Sequence, residues 1–309
     1  MNKKIKGVSV IVCSIDSARC EKLKDSVANT IGIDFEIIAF DNRLKNWGLC
    51  KVYNYCAEKA IYPYLCFIHE DVIIATENWG ETLIEFSEST PDCGVVGIAG
   101  GIVAYRNFIL WIDGWVENDA RYRYWDPYND GTQPEGTPVV YKNCNPDNVE
   151  FAKVITLDGC FLFVTRDVYA KKPFDEETFT GFHFYDADFT LGISRIKQNY
   201  VCYTIDIHHF STGTTHNSDF CRSARKFQMK WKDVLPLSIG NAKIIPMREL
   251  CLASEFIGKC RRSKATGWVK AISHSIKLNG YMFFCKTAFY FCVRYISKKN
   301  KKLKKRKTV

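Results

Sequence analysis

The stretch Tyr64-Leu65-Cys66-Phe67-Ile68-His69-Glu70-Asp71-Val72 decides how this chain is read. Its apolar run, Tyr64 to Ile68, has the length and composition of a buried strand, and it stops abruptly at three polar residues. In open α/β folds ligands bind outside the carboxyl ends of the strands, which is where this arrangement puts His69, Glu70 and Asp71. A carboxylate there is costly to bury unless a cation or hydrogen bonds compensate. A merely polar strand end is the alternative on this stretch alone.

The flanking sequence repeats the pattern. Gly7 to Cys13 is β-branched and apolar and opens into Ser14-Ile15-Asp16; Phe35 to Phe40 ends at Asp41-Asn42. Between the strands, Ser17 to Thr30 and Leu49 to Ala60 have helical spacing. Strand, helix, strand, helix, strand predicts an α/β fold with a doubly wound, mostly parallel sheet. All three strands then end in polar residues at one edge of that sheet.

Further along, Trp79 to Ser89 reads as a helix, and Cys93 to Gly101 as a strand running into a glycine-rich turn. No Gly-Lys-Ser/Thr follows, so the turn is not a phosphate-cradling P-loop. Arg106 to Glu150, dense in Tyr, Trp, Asp and Asn, reads as a long loop over the sheet edge. Phe151 to Leu157 is a strand ending at Asp158-Gly159, and Cys160 to Thr165 resumes apolar. Asp186 lies in a strongly aromatic run beside His183 and Asp188. Apolar neighbours raise a carboxyl pKa, which suits a general base, while a helix N-cap at Asp186 or Asp188 would look the same. Tyr200 to Ile207 is a strand that delivers His208 and His209.

Composition bounds the rest. With 47% hydrophobic and 25% charged residues the 309-residue chain is globular, one large domain with room for an appendage. The tail, residues 297–309, carries 8 of the 9 net positive charges, so the body has no basic face to track a nucleic-acid backbone. Nucleic acid is therefore excluded as the main partner. The 14 cysteines are scattered without zinc spacing, which fits reduced, packed thiols and a cytoplasmic location. The start resembles a short signal peptide, but its apolar run is brief, and it reads as the first strand.

Several of these stretches, in order, resemble family 2-type glycosyltransferases of the GT-A fold. They are Val8-Ser-Val-Ile-Val12, Asp41-Asn42, Asn54, Phe67-Ile-His-Glu-Asp-Val72, Val96 to Gly100, Leu157-Asp-Gly159, Phe182 to Asp188, His209 to Gly213 and Phe227 to Trp231. The likeness is to a bacterial glycosyltransferase-2-like subfamily in which a His-x-Asp variant replaces Asp-x-Asp. It implies a GT-A domain over residues 1–236, Rossmann-like, with a helical appendage over 237–309. It also implies an inverting transfer of sugar from a nucleoside-diphosphate sugar to a hydroxyl of a glycan or lipid-linked acceptor, in surface polysaccharide synthesis. Ser14, Asp41, His69, Glu70 and Asp71 would hold the donor, and Asp158, Gly159 and His183 would line the sugar or acceptor site. Asp186 would be the base, and Asp71 and His209 would hold Mn2+ or Mg2+, with His208 a close competitor. Losing the first carboxylate of Asp-x-Asp bears on metal affinity. The competing functions are a nucleotidyltransferase and a non-enzymatic nucleotide-binding protein on the same scaffold.

After Pro236 the character changes. Cys251 to Ile257 and Trp268 to Leu278 read as helices. Residues 280–296 are aromatic and apolar but broken by Lys286 and Arg294, shorter than a membrane span. An interfacial helix followed by a lysine tail would draw the protein to anionic lipid at the inner face of the plasma membrane. A core helix is the alternative.

Overall fold

Strand β1 (Val8–Ser14) forms where the sequence is β-branched and apolar, and its residues from Val8 to Val12 are all buried. In this computed structural model, which describes residues 6–110, 120–126, 140–211, 217–263 and 268–286 except 281 and 284, it lies inside a seven-stranded sheet. Helix α1 (Ser17–Thr30) follows, capped by the Asp16 carboxylate, which accepts from the amides of Ala18 and Arg19. Next come β2 (Phe35–Asp41), α2 (Leu49–Lys59), β3 (Tyr64–His69), β4 (Val72–Ile74) and α3 (Trp79–Ser89). Then follow β5 (Cys93–Gly97), β6 (Ala99–Gly101), β7 (Val103–Ala104), β8 (Ala120–Asp126), β9 (Val140–Cys144), β10 (Phe151–Val154), β11 (Thr156–Leu157) and β12 (Phe161–Thr165). The chain continues through α4 (Arg166–Lys171), α5 (Tyr185–Ile193), β13 (Gln198–Cys202) and β14 (Ile207–His209). It closes with α6 (Ser218–Lys230), β15 (Leu237–Ser238), α7 (Pro246–Arg262) and α8 (Trp268–Asn279).

The main sheet runs β10-β13-β5-β12-β3-β1-β2. The β1 pairings to β2 and β3 are parallel, as the alternation of strands and helices predicts. Strand β12 enters antiparallel between β3 and β5. The reason is local: it arrives from a second sheet through the three-residue connection Asp158-Gly159-Cys160, with no helical crossover to reverse its direction. That second sheet has the order β11-β6-β8-β14-β4, with β9 on β8. The long loop read over Arg106 to Glu150 thus contains two paired strands, β8 and β9, whose aromatic-polar composition hid any alternation.

The core sits around β1 and β3, where the side chains from Tyr64 to Ile68 are all buried. Such a strand reads as a continuous apolar run because both sheet faces are covered. Asn54 on α2 ties a distant loop to this core: it accepts from the Tyr169 hydroxyl at 2.7 Å and donates to the Phe174 carbonyl at 2.9 Å.

The chain divides into two compact units. The first comprises residues 1–104, 110–213 and 238–242 and contains both large sheets; the second comprises 105–109, 214–237 and 243–309. Within the second, Glu249 accepts from the amides of Arg106 and Asn107, at 2.6 and 3.1 Å, and from the Asn107 side chain. His274 meets Gln228 at 2.7 Å, and burial with Arg225 and Lys277 nearby lowers its pKa to about 4, so it stays neutral. Among the described residues no helix is long and apolar enough to cross a membrane. The apolar stretch from residue 287 and the basic tail lie outside the described residues.

Candidate active site

The polar end of β3 is where the chain leaves the main sheet. His69 is its last residue, and Val72 already belongs to β4 in the second sheet. Strand β4 pairs antiparallel with β14, which puts Val72 opposite His209, and the Phe210 amide donates to the Asp71 carbonyl at 2.8 Å. Neighbouring strand side chains point to opposite faces. His209 is the one turned to Asp71, with Nε2 at 3.6 Å from Oδ1; the His208 ring lies instead beside Phe210. His69 approaches the same Asp71 oxygen through Nδ1 at 3.9 Å. That oxygen is buried and has no hydrogen-bond partner among the described residues. Ligand atoms of His69, Asp71 and His209 all lie within 4.8 Å of one another, a spacing that can close on a metal ion. The orphaned carboxylate oxygen fits a cation, since a buried acceptor otherwise left unmade is costly.

A second crossing lies alongside. Between β11 and β12 the chain returns to the main sheet at Asp158-Gly159, and the His69 amide donates to the Cys160 carbonyl at 3.0 Å. The Asp158 carboxylate accepts from the Cys160 amide at 2.9 Å. Burial would raise the Asp158 pKa, but the neighbouring His209, the Cys160 amide and His69 outweigh it and hold the carboxyl below its usual range. Asp158, Cys160 and His209 form another group of ligand-capable atoms within 4.8 Å. Burial and the Asp158 charge push the Cys160 thiol far up, so it is protonated.

Helix α5 supplies the third part. Its N-cap is Phe184, in the left-handed region at φ 68°, a strained position for a bulky residue. The helix is therefore not capped by Asp186 or Asp188; Asp188 is buried and accepts from Lys172 Nζ at 3.2 Å. The twist at Phe184 aims the first turn at the strand crossings. Asp186 accepts from the Gly159 amide at 3.1 Å, and Tyr185 Oη lies 2.6 Å from His69 Nε2. Burial, then the charge of Asp158, pushes the Asp186 carboxyl up to about 7 against the opposing amide hydrogen bonds. A single carboxylate that titrates near neutrality is suited to take a proton.

Gly159 is where α5 and the β11–β12 turn come closest. A Cβ there would lie 2.0 Å from Tyr185 Oη and 2.9 Å from Asp186 Cβ. Tyr185 cannot retreat, since it is buried against Tyr53 and Phe174 at ring distances of 5.7 and 6.0 Å. Gly159→Ala is expected to cost about 1–3 kcal/mol through overpacking, read as a lowered midpoint of thermal unfolding. An unchanged midpoint would show that α5 can shift.

Residues 9–228 match the model of the glycosyltransferase-like family. The chain belongs to that family. No curated protein matches the sequence. Among solved structures, residues 1–349 of TarS from S. aureus are 15% identical, the likeness covering 88% of this chain and 80% of that one at a TM-score of 0.48. GalNAc-T7, crystallised with UDP, GalNAc and Mn2+, is 9% identical over 88% of this chain and 57% of its own, at 0.47. A197 from STIV is 16% identical over 66% and 85%, at 0.38. Likeness at these scores carries no weight beyond the family match.

In this glycosyltransferase the other expected site residues lie around the same strand ends. Ser14 and Asp41 are register partners at the ends of β1 and β2. The Asp41 carboxylate is exposed and gripped by Arg43 Nε and Nη2, which holds its pKa down to about 2. Glu70 turns inward: it accepts from Ser14 Oγ at 2.7 Å and from the amides of Ile15 and Asp16 at 3.1 and 3.0 Å. Its carboxylate thus clamps the loop after β1, a role its place between His69 and Asp71 did not disclose. His183 is partly buried beside Phe182, whose ring is 56% exposed and lies 5.8 Å from that of His69. Sequence reasoning missed Tyr185 and Cys160. Tyr185 stands next to Asp186, but its partner His69 is 116 positions away, so no local pattern marks the pair.

Proposed function

We propose that this glycosyltransferase moves a sugar from a nucleoside-diphosphate sugar to a hydroxyl group by a single displacement with inversion. The observation that carries the reading is one carboxylate pushed up to about 7, Asp186, next in the chain to Tyr185, whose hydroxyl meets His69 of the His69, Asp71 and His209 group. The acceptor hydroxyl gives its proton to an Asp186 carboxylate oxygen as its own oxygen attacks the anomeric carbon from the face opposite the leaving group. The bond from that carbon to the diphosphate oxygen breaks, and the diphosphate leaves with the electron pair. A divalent cation, when held by Asp71 and His209, supplies charge neutralisation for that leaving group.

Asp158 is in the wrong state for a second proton carrier. Its carboxyl is held low and anchored by the Cys160 amide, so it keeps its charge and raises Asp186 instead. Glu70 keeps the β1 loop, with Ser14, in place for the nucleotide. The exposed Phe182 ring next to His69 offers an apolar face to a sugar. The acceptor is a glycan or a lipid-linked precursor, with the enzyme held at the inner face of the plasma membrane by residues 280–309; the support for this is the apolar-then-basic sequence of that segment.

The test is turnover of a panel of nucleoside-diphosphate sugars with Mn2+, followed by NMR of the anomeric configuration of the product. Release of nucleoside diphosphate with an inverted linkage is expected. Retained configuration would overturn the single displacement, and release of inorganic diphosphate would point to nucleotidyl transfer.

A further inference from the structure

Charge is divided unevenly along this chain. Residues 105–109, 214–237 and 243–309, the second compact unit, hold 24 Lys and Arg against 4 Asp and Glu, whereas the rest of the chain holds 19 against 30. The tail is not the whole cause: with residues 297–309 set aside, 16 basic residues still face the same 4 acidic ones. The near-neutral body is therefore a cancellation between a basic unit and an acidic one.

Within the basic unit, exposed apolar side chains are gathered as well. Ile244, Ile245 and Met247 are 38, 41 and 54% exposed, next to the exposed Lys243. Apolar residues scattered singly over a surface are ordinary, but three large ones within four residues form a patch. Met282, 72% exposed, belongs to the same end of the unit. Helix α8 packs on α7, and Asn107 fixes which ends meet. Its Nδ2 donates to Glu249, in the first turn of α7, at 2.7 Å and to Oδ1 of Asn279, the last residue of α8, at 3.1 Å. The start of α7 and the end of α8 thus lie side by side, and Met282 follows Asn279 by three residues. Exposed Lys243, Lys277 and Lys286 flank this end. The acid in the first turn of α7, Glu249, is buried and engaged by the amides of Arg106 and Asn107.

We infer that this end of the α7–α8 pair, with Ile244, Ile245, Met247 and Met282 between lysines, seats in the surface of an anionic lipid bilayer. It adds a folded contact to the membrane location proposed above from residues 280–309, and it does not depend on sugar transfer.

Local structure makes the first argument. The N-cap of α7 is Ile245, at a position where Ser, Thr, Asp or Asn would accept a helix amide, and it makes no side-chain cap. Pro246 at the start of the helix and the Arg248 amide, donating to the Ile245 carbonyl at 2.9 Å, hold the turn in this shape. An apolar residue at a cap position gives up helix stability, a conflict of the kind that marks a binding surface.

Charge complementarity decides the occupant. Anionic headgroups favour partitioning roughly fivefold for each Lys held near them, and apolar side chains between those lysines reach the acyl boundary. A soluble polyanion would be drawn to the lysines but has no apolar layer to receive Ile244 or Met247. A single weak membrane signal binds only marginally, whereas two linked ones hold firmly, because the second contact becomes intramolecular. Residues 287–309, apolar and then basic, follow Lys286 in the sequence and provide the second.

The test is co-sedimentation of the full-length protein with vesicles of phosphatidylcholine, alone or with about 30% phosphatidylglycerol. Binding to the anionic vesicles is expected, weakened roughly tenfold by Ile244→Ser combined with Met247→Ser, and roughly fivefold by Lys243→Gln or Lys277→Gln. Met247→Trp should gain blue-shifted emission on binding, quenched by brominated acyl chains. Thermal unfolding of the double serine variant should match wild type, since the side chains it removes are exposed in the free protein. Undiminished vesicle binding by that folded variant would overturn the inference and leave residues 280–309 as the membrane contact. Unshifted Met247→Trp emission on bound vesicles, or equal binding to neutral vesicles, would overturn it too. A wild-type protein that binds no vesicle would sink it together with the proposed location. Sugar transfer is read separately, from turnover, and stands or falls apart from these results.

Discussion

Asp186→Asn is expected to lower sugar transfer by on the order of a thousandfold while leaving donor binding intact, since a positioned general base contributes typically about 10²–10⁴-fold. The same residue sets the pH profile. Its carboxyl must be ionised to accept a proton, and burial with the Asp158 charge pushes its pKa up to about 7. Turnover should fall close to tenfold per pH unit below that value. A profile flat down to pH 5 would exclude Asp186 as the base.

Stability should move in the opposite direction. A folded-state value raised above the ordinary carboxylate pKa of about 4 means that the folded protein favours the protonated acid. The contribution of Asp186 to stability is thus fully present below about 4 and is lost as pH rises through about 7. Asparagine mimics the protonated acid at every pH. Asp186→Asn is therefore expected to unfold at a higher temperature than wild type at pH 8, by roughly 3–6 °C, and at the same temperature near pH 4. A variant that is inactive yet more stable is the signature of a base held in a destabilised state. Lower stability at pH 8 would mean that the Gly159 amide bond to the carboxylate matters more than its desolvation.

Asp71→Ala is the second large effect. A nucleoside diphosphate at about 100 times its Kd, with Mn2+, should stabilise the wild-type protein by about 2.7 kcal/mol. That shift should be absent in Asp71→Ala, and turnover should drop by on the order of a thousandfold or more. The fold is expected to survive, because the backbone carbonyl of residue 71, not its side chain, holds the Phe210 amide across the β4–β14 pair. Removing a buried carboxylate with an unpartnered oxygen should even leave the metal-free protein as stable as wild type. Thermal unfolding with and without diphosphate and Mn2+ measures both. A full diphosphate-dependent shift in Asp71→Ala would remove this residue from the donor site.

The elements that were legible are those whose signal is local. β1, β2 and β3 announce themselves by apolar runs ending at Ser14, Asp41 and His69, and α1 spans the same residues in the structure as in the sequence reading. β8 and β9 escaped, because a sheet strand rich in Tyr, Arg and Asn on both faces has no alternation to detect. The antiparallel entry of β12 escaped too: a sequence shows that Cys160 to Thr165 is a strand, not which way it runs between β3 and β5.

The sequence by itself determined the family, the alternation of strands and helices, and the identity of the chemical groups at the strand ends, because composition and spacing act over a few residues. It could not say which of His208 and His209 faces Asp71, since the two differ by one place in register; the pairing of β14 with β4 turns His209 that way. Nor could it distinguish Glu70 as clamp from Asp71 as candidate ligand, two adjacent carboxylates that the turn out of β3 sends to different partners. The Tyr185 contact to His69, the close approach at Gly159 and the raised pKa of Asp186 arise from residues far apart in the chain. Their energies depend on desolvation and distance, which exist only once the two sheets and α5 have packed.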